Sequence, residues 1–317
     1  MKAIVIYEPG GPDQLIYKEV EKPRIKPGWS LVQVKGFGIN HSEIYTRKGQ
    51  SPTVRFPRIL GIECVGEIEE TTDSQNLPKG QKIISIMGEM GRAFDGGYAE
   101  YALLPNQQIY PVETELTWEQ LAAIPETGYT AYGSLKNLKI REQDKVLVRG
   151  ATSGVGVAFC KMLKAAFPGI FIAGSSRSNA KTEKLKKIGF DQVVLDLDGA
   201  LQTEEQFDKV LELIGPATLR DTAAHVREGG IICNTGLLGG KWTVDEFDPL
   251  GDLPVNGYLT GFHSGVVDAK RIQEMLDFVS EKNVDLSAEK VFSLPEVPAA
   301  HAYLESSGSF GKVVVVV

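Results

Sequence analysis

From residue 145 onward, short apolar runs alternate with stretches of helical periodicity, and no other feature of the chain restricts its fold so tightly. The runs are Lys145–Val148, Ile170–Ala173, Val193–Leu195, Val210–Ile214 and Ile231–Cys233, with helices predicted near 155–166, 180–188 and 217–227. A strand that reaches the next strand of its sheet through a helix must run parallel to it, with a right-handed crossover. This half of the chain therefore reads as βαβ units in a parallel sheet.

The first strand-to-helix turn carries Gly150-Ala151-Thr152-Ser153-Gly154-Val155-Gly156. Small residues at such a turn let backbone N–H groups approach a pyrophosphate, and the helix N-terminus adds partial positive charge. Ala151 and Ser153 occupy the first two glycine places of the strict G-x-G-x-x-G pattern. The position between a buried strand and an apolar helix still predicts a dinucleotide site of Rossmann type. A chain that prefers NAD carries Asp or Glu at the end of the second strand, about 20 residues past the loop, for the ribose hydroxyls. Here that place reads Gly174-Ser175-Ser176-Arg177-Ser178, with Lys181 following and no acid before Glu183. Hydroxyls and two cations suit a 2′-phosphate, which predicts NADPH.

Up to about residue 120 the pattern is different: short runs such as Ser30–Lys35 and Ile83–Ile86 are bounded by Pro27-Gly28 and Lys79-Gly80, as in a mainly β unit. A helix is predicted over Ala269–Val279, and the closing run Lys312–Val317 reads as a buried strand returning to the first unit's sheet. The 317 residues suit two domains at about 150 residues each. A net charge of −7 argues against a nucleic-acid partner, which needs a basic face. Cys64, Cys160 and Cys233 form no metal-ligand pattern and are expected to be buried and reduced. Glu8-Pro9-Gly10 comes too early for the apolar core of a signal peptide, and no run reaches the ~20 apolar residues of a membrane span. A cytoplasmic enzyme is the expectation.

Several spaced motifs join these features. They are Gly38-Ile39-Asn40-His41-Ser42-Glu43-Ile44-Tyr45-Thr46-Arg47-Lys48-Gly49, Pro57-Arg58-Ile59-Leu60-Gly61-Ile62-Glu63-Cys64-Val65-Gly66, Gly96-Gly97-Tyr98-Ala99-Glu100-Tyr101, Thr127-Gly128-Tyr129-Thr130-Ala131-Tyr132, Leu213-Ile214-Gly215, Gly229-Gly230 and Gly311-Lys312-Val313-Val314. In this order the chain resembles a zinc-independent medium-chain dehydrogenase/reductase, in its quinone oxidoreductase branch. The resemblance implies an α/β fold with a Rossmann domain at 123–263, inserted into a mainly β GroES-like catalytic domain at 1–122 and 264–317. It implies hydride transfer from NADPH to a quinone or an α,β-unsaturated carbonyl.

By the same resemblance Asn40 and Tyr45 are catalytic, with Tyr45 a donor and, as the alternative to solvent, a candidate proton source; the neighbouring His41 reads as a structural histidine. Thr130, Ser153, Gly154, Val155 and Lys312 are implied cofactor contacts, beside Gly174, Ser175, Ser176, Arg177 and Lys181 at the second strand. The places that hold catalytic zinc in metal-dependent relatives correspond to Asn40, Ile62 and Glu126, and Ile62 cannot ligate. The cysteine-rich structural zinc lobe is also missing, since 80–100 contains no cysteine. Ser51 replaces a second tyrosine, and Asp196 an aromatic near the adenosine ribose. An enoyl-thioester reductase is an alternative, with Arg47, Lys48, Arg55 and Arg58 as a basic groove; a non-catalytic NADPH-binding protein is another. Val255–Phe262 is the implied edge strand of a homodimer.

Overall fold

The computed structural model describes all residues, 1–317, as two units. One comprises Met1–Tyr129, Ser264–Asp277 and Leu286–Val317; the other comprises Thr130–His263 and Phe278–Asp285.

The first unit is mainly β, as the punctuated runs predict. Its larger sheet runs in the order Lys290–Ser293, Val313–Val316, Trp29–Ile39, Glu63–Glu70, Lys82–Ile86 and Tyr110–Pro111, with Tyr101–Pro105 also on Trp29–Ile39. A smaller sheet joins Ile16–Glu19, Lys2–Ile6 and Arg58–Ile59. The closing run does return to this unit: Val313–Val316 lies antiparallel to Trp29–Ile39, with Val314 opposite Gly38. Val313, Val314 and Val315 are fully buried, so β-branched side chains that are stiff in extended backbone also fill the core. Val32, Phe37, Cys64, Ile83, Tyr98 and Val297 surround them. The register places Lys312 beside the end of Trp29–Ile39, where Asn40 begins the next element.

The second unit is a parallel sheet in the order Gln192–Leu197, Phe171–Ser176, Lys145–Arg149, Phe207–Glu212, Val226–Asn234 and Tyr258–Thr260. Ala200–Leu201 folds back antiparallel on one edge. In chain order this is 3-2-1-4-5-6, the doubly wound arrangement, and the order reverses beside Lys145–Arg149, the strand that feeds Gly150. Val146, Leu147 and Val148 are fully buried, as a strand covered by helices on both faces must be. Helix Gly154–Ala166 buries Val157, Phe159, Met162 and Leu163.

The boundaries differ from the sequence pattern most clearly between residues 207 and 234. The helix expected over 217–227 is only Leu219–Ala224, and the strand after it already begins at Val226, carrying Gly229-Gly230 within it. Phe207 extends the strand predicted at 210–214, while Leu213 and Ile214 turn out of the sheet. In each case pairing with a neighbouring strand, Phe207 with Val226, overrides local periodicity. All three cysteines are free and buried. No helix is long and apolar enough to cross a membrane.

Candidate active site

The dinucleotide loop is built from its own side chains. Gly150 takes φ 87°, which a side chain would oppose. Ser153 caps helix Gly154–Ala166: its Oγ accepts from the Gly156 N–H at 3.1 Å and donates to the Gly150 carbonyl at 2.8 Å. A β-carbon at Gly156 would stand 2.8 Å from the Gly150 carbonyl oxygen, so glycine is required for the helix to start against the loop. At the second strand, Gly174 leaves room for Ala151 and Phe190. Ser175 Oγ accepts from the Gly150 N–H at 3.0 Å, and Ser176 Oγ donates to the Ser178 carbonyl at 2.9 Å.

Gly174, Ser175 and Ser176 therefore shape the turn, whereas Arg177 is exposed and Lys181 half-buried. Burial, then the charges of Arg177 and Lys184, hold the Lys181 ammonium below its ordinary range. Lys184, absent from the sequence expectation, makes this a cluster of three cations. Thr130 is buried in helix Pro125–Leu138 and its carbonyl accepts from Ser134 Oγ.

Asp196 is not an opening left by a missing aromatic. Its carboxylate takes both Nε and Nη2 of the fully buried Arg149, at 2.8 and 3.1 Å. Arg149 Nη1 reaches Asp221 at 2.7 Å, Thr222 Oγ1 at 2.8 Å and the Thr218 carbonyl at 3.2 Å, and Nη2 reaches the Gly199 carbonyl at 2.8 Å. Glu212, also fully buried, bonds Thr222 and accepts from the Ile214 and Gly215 N–H groups. The cluster ties together three strands and helix Leu219–Ala224.

In the first unit Asn40 stands at the N-cap of helix His41–Arg47, yet its side chain makes no capping bond. Asparagine at an N-cap ordinarily accepts from the first turn. Here Asn40 Nδ2 donates to Glu63 Oε1 at 2.8 Å, and Asn40 Oδ1 accepts from Lys312 Nζ at 2.7 Å. Lys312 Nζ also lies 2.7 Å from Glu63 Oε1, and Glu63 Oε2 accepts from the Glu126 N–H at 2.6 Å. A β-carbon at Gly38 would overlap both Lys312 Nζ and Glu63 Oε1. Glu63 gave no sequence signal beyond its place in the Gly61-Ile62-Glu63 motif. Lys312 joins Asn40 here.

Tyr45 is half-buried, and burial pushes its phenol above the ordinary value, so it is a neutral donor at pH 7. Glu43 on the same helix is buried; one carboxyl oxygen accepts from the Ile62 N–H at 3.1 Å and the other has no hydrogen-bond partner. Burial, reinforced by the Glu63 charge, pushes its pKa up to about 7. Ser51, in the place of a second tyrosine, hydrogen-bonds Thr46 at 2.8 Å. His41 is half-buried.

The residues at the metal-ligand places do not suit a metal. Ile62 has no donor atom, the Asn40 amide is engaged at both ends, and Glu126 Oε1 accepts from Ser264 at 2.6 Å. Three of the four cations of the candidate basic groove are internally paired, while Arg55 is exposed. Arg47 is buried against His301 and Glu305, Lys48 lies 2.6 Å from Glu305, and Arg58 lies 2.9 Å from Asp95. Burial, then the charge of Arg47, holds His301 neutral with its pKa down to about 3.

Comparison with known proteins agrees with the fold. Residues 26–114 match the alcohol dehydrogenase GroES-like domain, and residues 188–315 match the zinc-binding dehydrogenase domain. Human quinone oxidoreductase is 28% identical over 250 residues, 75% of this chain and 74% of that protein. An alcohol dehydrogenase of Geobacillus stearothermophilus is 28% identical over 315 residues, 90% of each. The yhdH oxidoreductase of Salmonella enterica, solved in complex with NADP, superposes with a TM-score of 0.86 at 21% identity over the whole of both chains. With both domain types, the doubly wound sheet and these relatives, the chain belongs to the medium-chain dehydrogenase/reductase family of nicotinamide-dependent oxidoreductases, as a quinone oxidoreductase-like member.

Proposed function

We propose that this chain is an NADPH-dependent reductase that transfers hydride to a quinone or an α,β-unsaturated carbonyl without zinc. One observation carries the proposal: the places that hold metal in metal-dependent relatives have Ile62, which cannot ligate, and an Asn40 amide already bonded to Glu63 and Lys312. Loss of the metal removes the group that stabilises an alkoxide, which favours acceptors that take hydride without one. The three cations Arg177, Lys181 and Lys184 favour the 2′-phosphate of NADPH through charge-assisted hydrogen bonds. NADP bound to the Salmonella relative is consistent with that choice.

When bound, the dinucleotide supplies a hydride from its nicotinamide ring. The remaining work falls to neutral donors. Asn40 keeps one Nδ2–H beyond its bond to Glu63, and Tyr45 keeps its phenolic proton at neutral pH; both suit an oxygen that gains charge as the double bond is reduced. Tyr45 is the nearer group by chemistry to return a proton.

The test is NADPH and NADH oxidation against a panel of quinones, enones, enoyl thioesters and aliphatic alcohols, with elemental analysis of the protein. Turnover of quinones or enones with NADPH, and no stoichiometric zinc, is expected. Alcohol oxidation with bound zinc overturns the proposal, as does preference for NADH, and tight NADPH binding with no turnover assigns a non-catalytic role. We also propose a homodimer through the edge strand Tyr258–Thr260, where Val255 and Tyr258 are 70% and 62% exposed. A monomer mass in sedimentation would reject it.

A further inference from the structure

We propose that Glu63 and Lys312 form a charged clamp that positions the Asn40 amide, and that Lys312 serves Asn40 rather than the phosphates of the dinucleotide. The use to which Asn40 is put rests on the reduction proposed above; the clamp itself is read from the first unit alone.

An asparagine side chain can rotate or exchange its oxygen and nitrogen ends, and either motion would spoil a donor aimed at a reacting oxygen. Here the two ends face opposite charges: Nδ2–H points at a carboxylate and Oδ1 at an ammonium. A flipped amide would set its NH2 against Lys312 and its oxygen against Glu63, losing both bonds and meeting two like-signed contacts. The clamp is itself held. Glu63 Oε2 is fixed by the Glu126 N–H, Oε1 takes both Asn40 and Lys312, and Lys312 has spent two of its three donors.

Burial is graded toward Asn40. The Glu63 and Lys312 side chains are 0% and 6% exposed, while Asn40 is half-buried, so the amide is the member that can meet a ligand. Two sequence choices support the pair at a local cost. Asn40 gives up the capping bond its position offers, and residue 38 must be glycine because a β-carbon would occupy the space of Nζ and Oε1. A buried ion pair is a weak source of stability, since desolvation offsets its attraction, and stability alone would be served as well by apolar side chains.

The amide is observed directly by NMR of the 15N-labelled protein, with the Asn40 side-chain signals assigned by their loss in Asn40→Ala. In the wild type the two Nδ2 protons should resonate well apart, the one bonded to Glu63 downfield and slow to exchange. Lys312→Met and Glu63→Gln should each move both signals and speed exchange at least about tenfold, the loss of one charge-assisted bond. Because a single change strands one buried charge, the double variant Lys312→Met/Glu63→Gln is measured as well. Its NADPH dissociation constant, read by nicotinamide fluorescence, should stay within about threefold of wild type, below the cost of a lost phosphate contact.

In the double variant kcat on an enone should fall about 100-fold, as for a lost oxyanion donor, and adding Asn40→Ala should cost little more. Unchanged Asn40 signals in the double variant overturn the clamp. So does an NADPH dissociation constant raised tenfold or more, which would return Lys312 to the cofactor, or a kcat that survives the double change. If the wild type reduces no quinone or enone, the proposed reaction fails while the Asn40 signals still decide the clamp.

Discussion

Both units bury an ionic cluster beneath the residues expected to act, but the two clusters end differently. Around Arg149 every donor is consumed inside the second unit by Asp196, Asp221, Thr222, Thr218 and Gly199, and the guanidinium is fully buried. Around Lys312 the network closes on Asn40, a half-buried amide that keeps one donor in reserve. A closed cluster fixes strands and a loop; an open one aims a group. The difference teaches that burial and charge alone do not tell the two clusters apart, and the role proposed for Asn40 rests on its unspent donor at the rim of a buried network.

The largest effect should come from breaking the closed cluster. Arg149→Met leaves Asp196 and Glu212 buried without their cation, a loss of about 3–5 kcal/mol. Denaturant unfolding should show it, and a stability within ~1 kcal/mol of wild type would mean the cluster is not holding the unit. The open cluster should respond in the opposite currency. Asn40→Ala should lower kcat about 10²–10³-fold while costing clearly less stability than Arg149→Met, because Lys312 and Glu63 still hold each other. Equal losses of stability in the two variants would erase the distinction between the clusters.

Glu43 sharpens the comparison through pH. Its pKa is raised by burial from 4.5 to about 7, so between these values the folded chain keeps a proton that the unfolded chain has released. Stability should therefore fall as pH rises from about 4.5, and the full cost, up to ~3 kcal/mol, should be present above about 7. Glu43→Gln, which mimics the neutral acid, should flatten that decline in urea titrations at pH 5–8; an unchanged slope would show that Glu43 is ionised in the fold. The smallest effect belongs to the cations that follow Ser176. Arg177→Ala with Lys181→Ala should raise KM for NADPH about tenfold, leave KM for NADH unaltered, and lose its force at high salt. A parallel rise for NADH would place the 2′-phosphate elsewhere.

Much of the fold is legible in the sequence because its causes are local. Val146-Leu147-Val148 can only be a strand covered on both faces, Gly150 and Gly156 are required by a positive φ and a close backbone approach, and the closing valines demand a buried sheet position. The candidate site is legible only in part. Asn40, Tyr45 and the cations after Ser176 stand out through motif and charge. Ser175 and Ser176 share that motif, and only the structure shows that their hydroxyls also shape the turn, Ser175 accepting from the Gly150 N–H and Ser176 donating to the Ser178 carbonyl. Asp196 reads as a replaced aromatic until Arg149 is seen across the sheet.

By itself the sequence determined two folding units, a dinucleotide loop between strand and helix, cations where a ribose acid would stand, and an isoleucine where a metal ligand would be needed. These follow from periodicity, turn chemistry and the donor atoms a side chain owns. Only the tertiary structure decided what Lys312 and Glu63 do, because they lie 249 residues apart and meet solely when the terminal strand pairs beside Gly38. Partnership between distant charges depends on register and burial, and neither quantity is carried by any local stretch of chain.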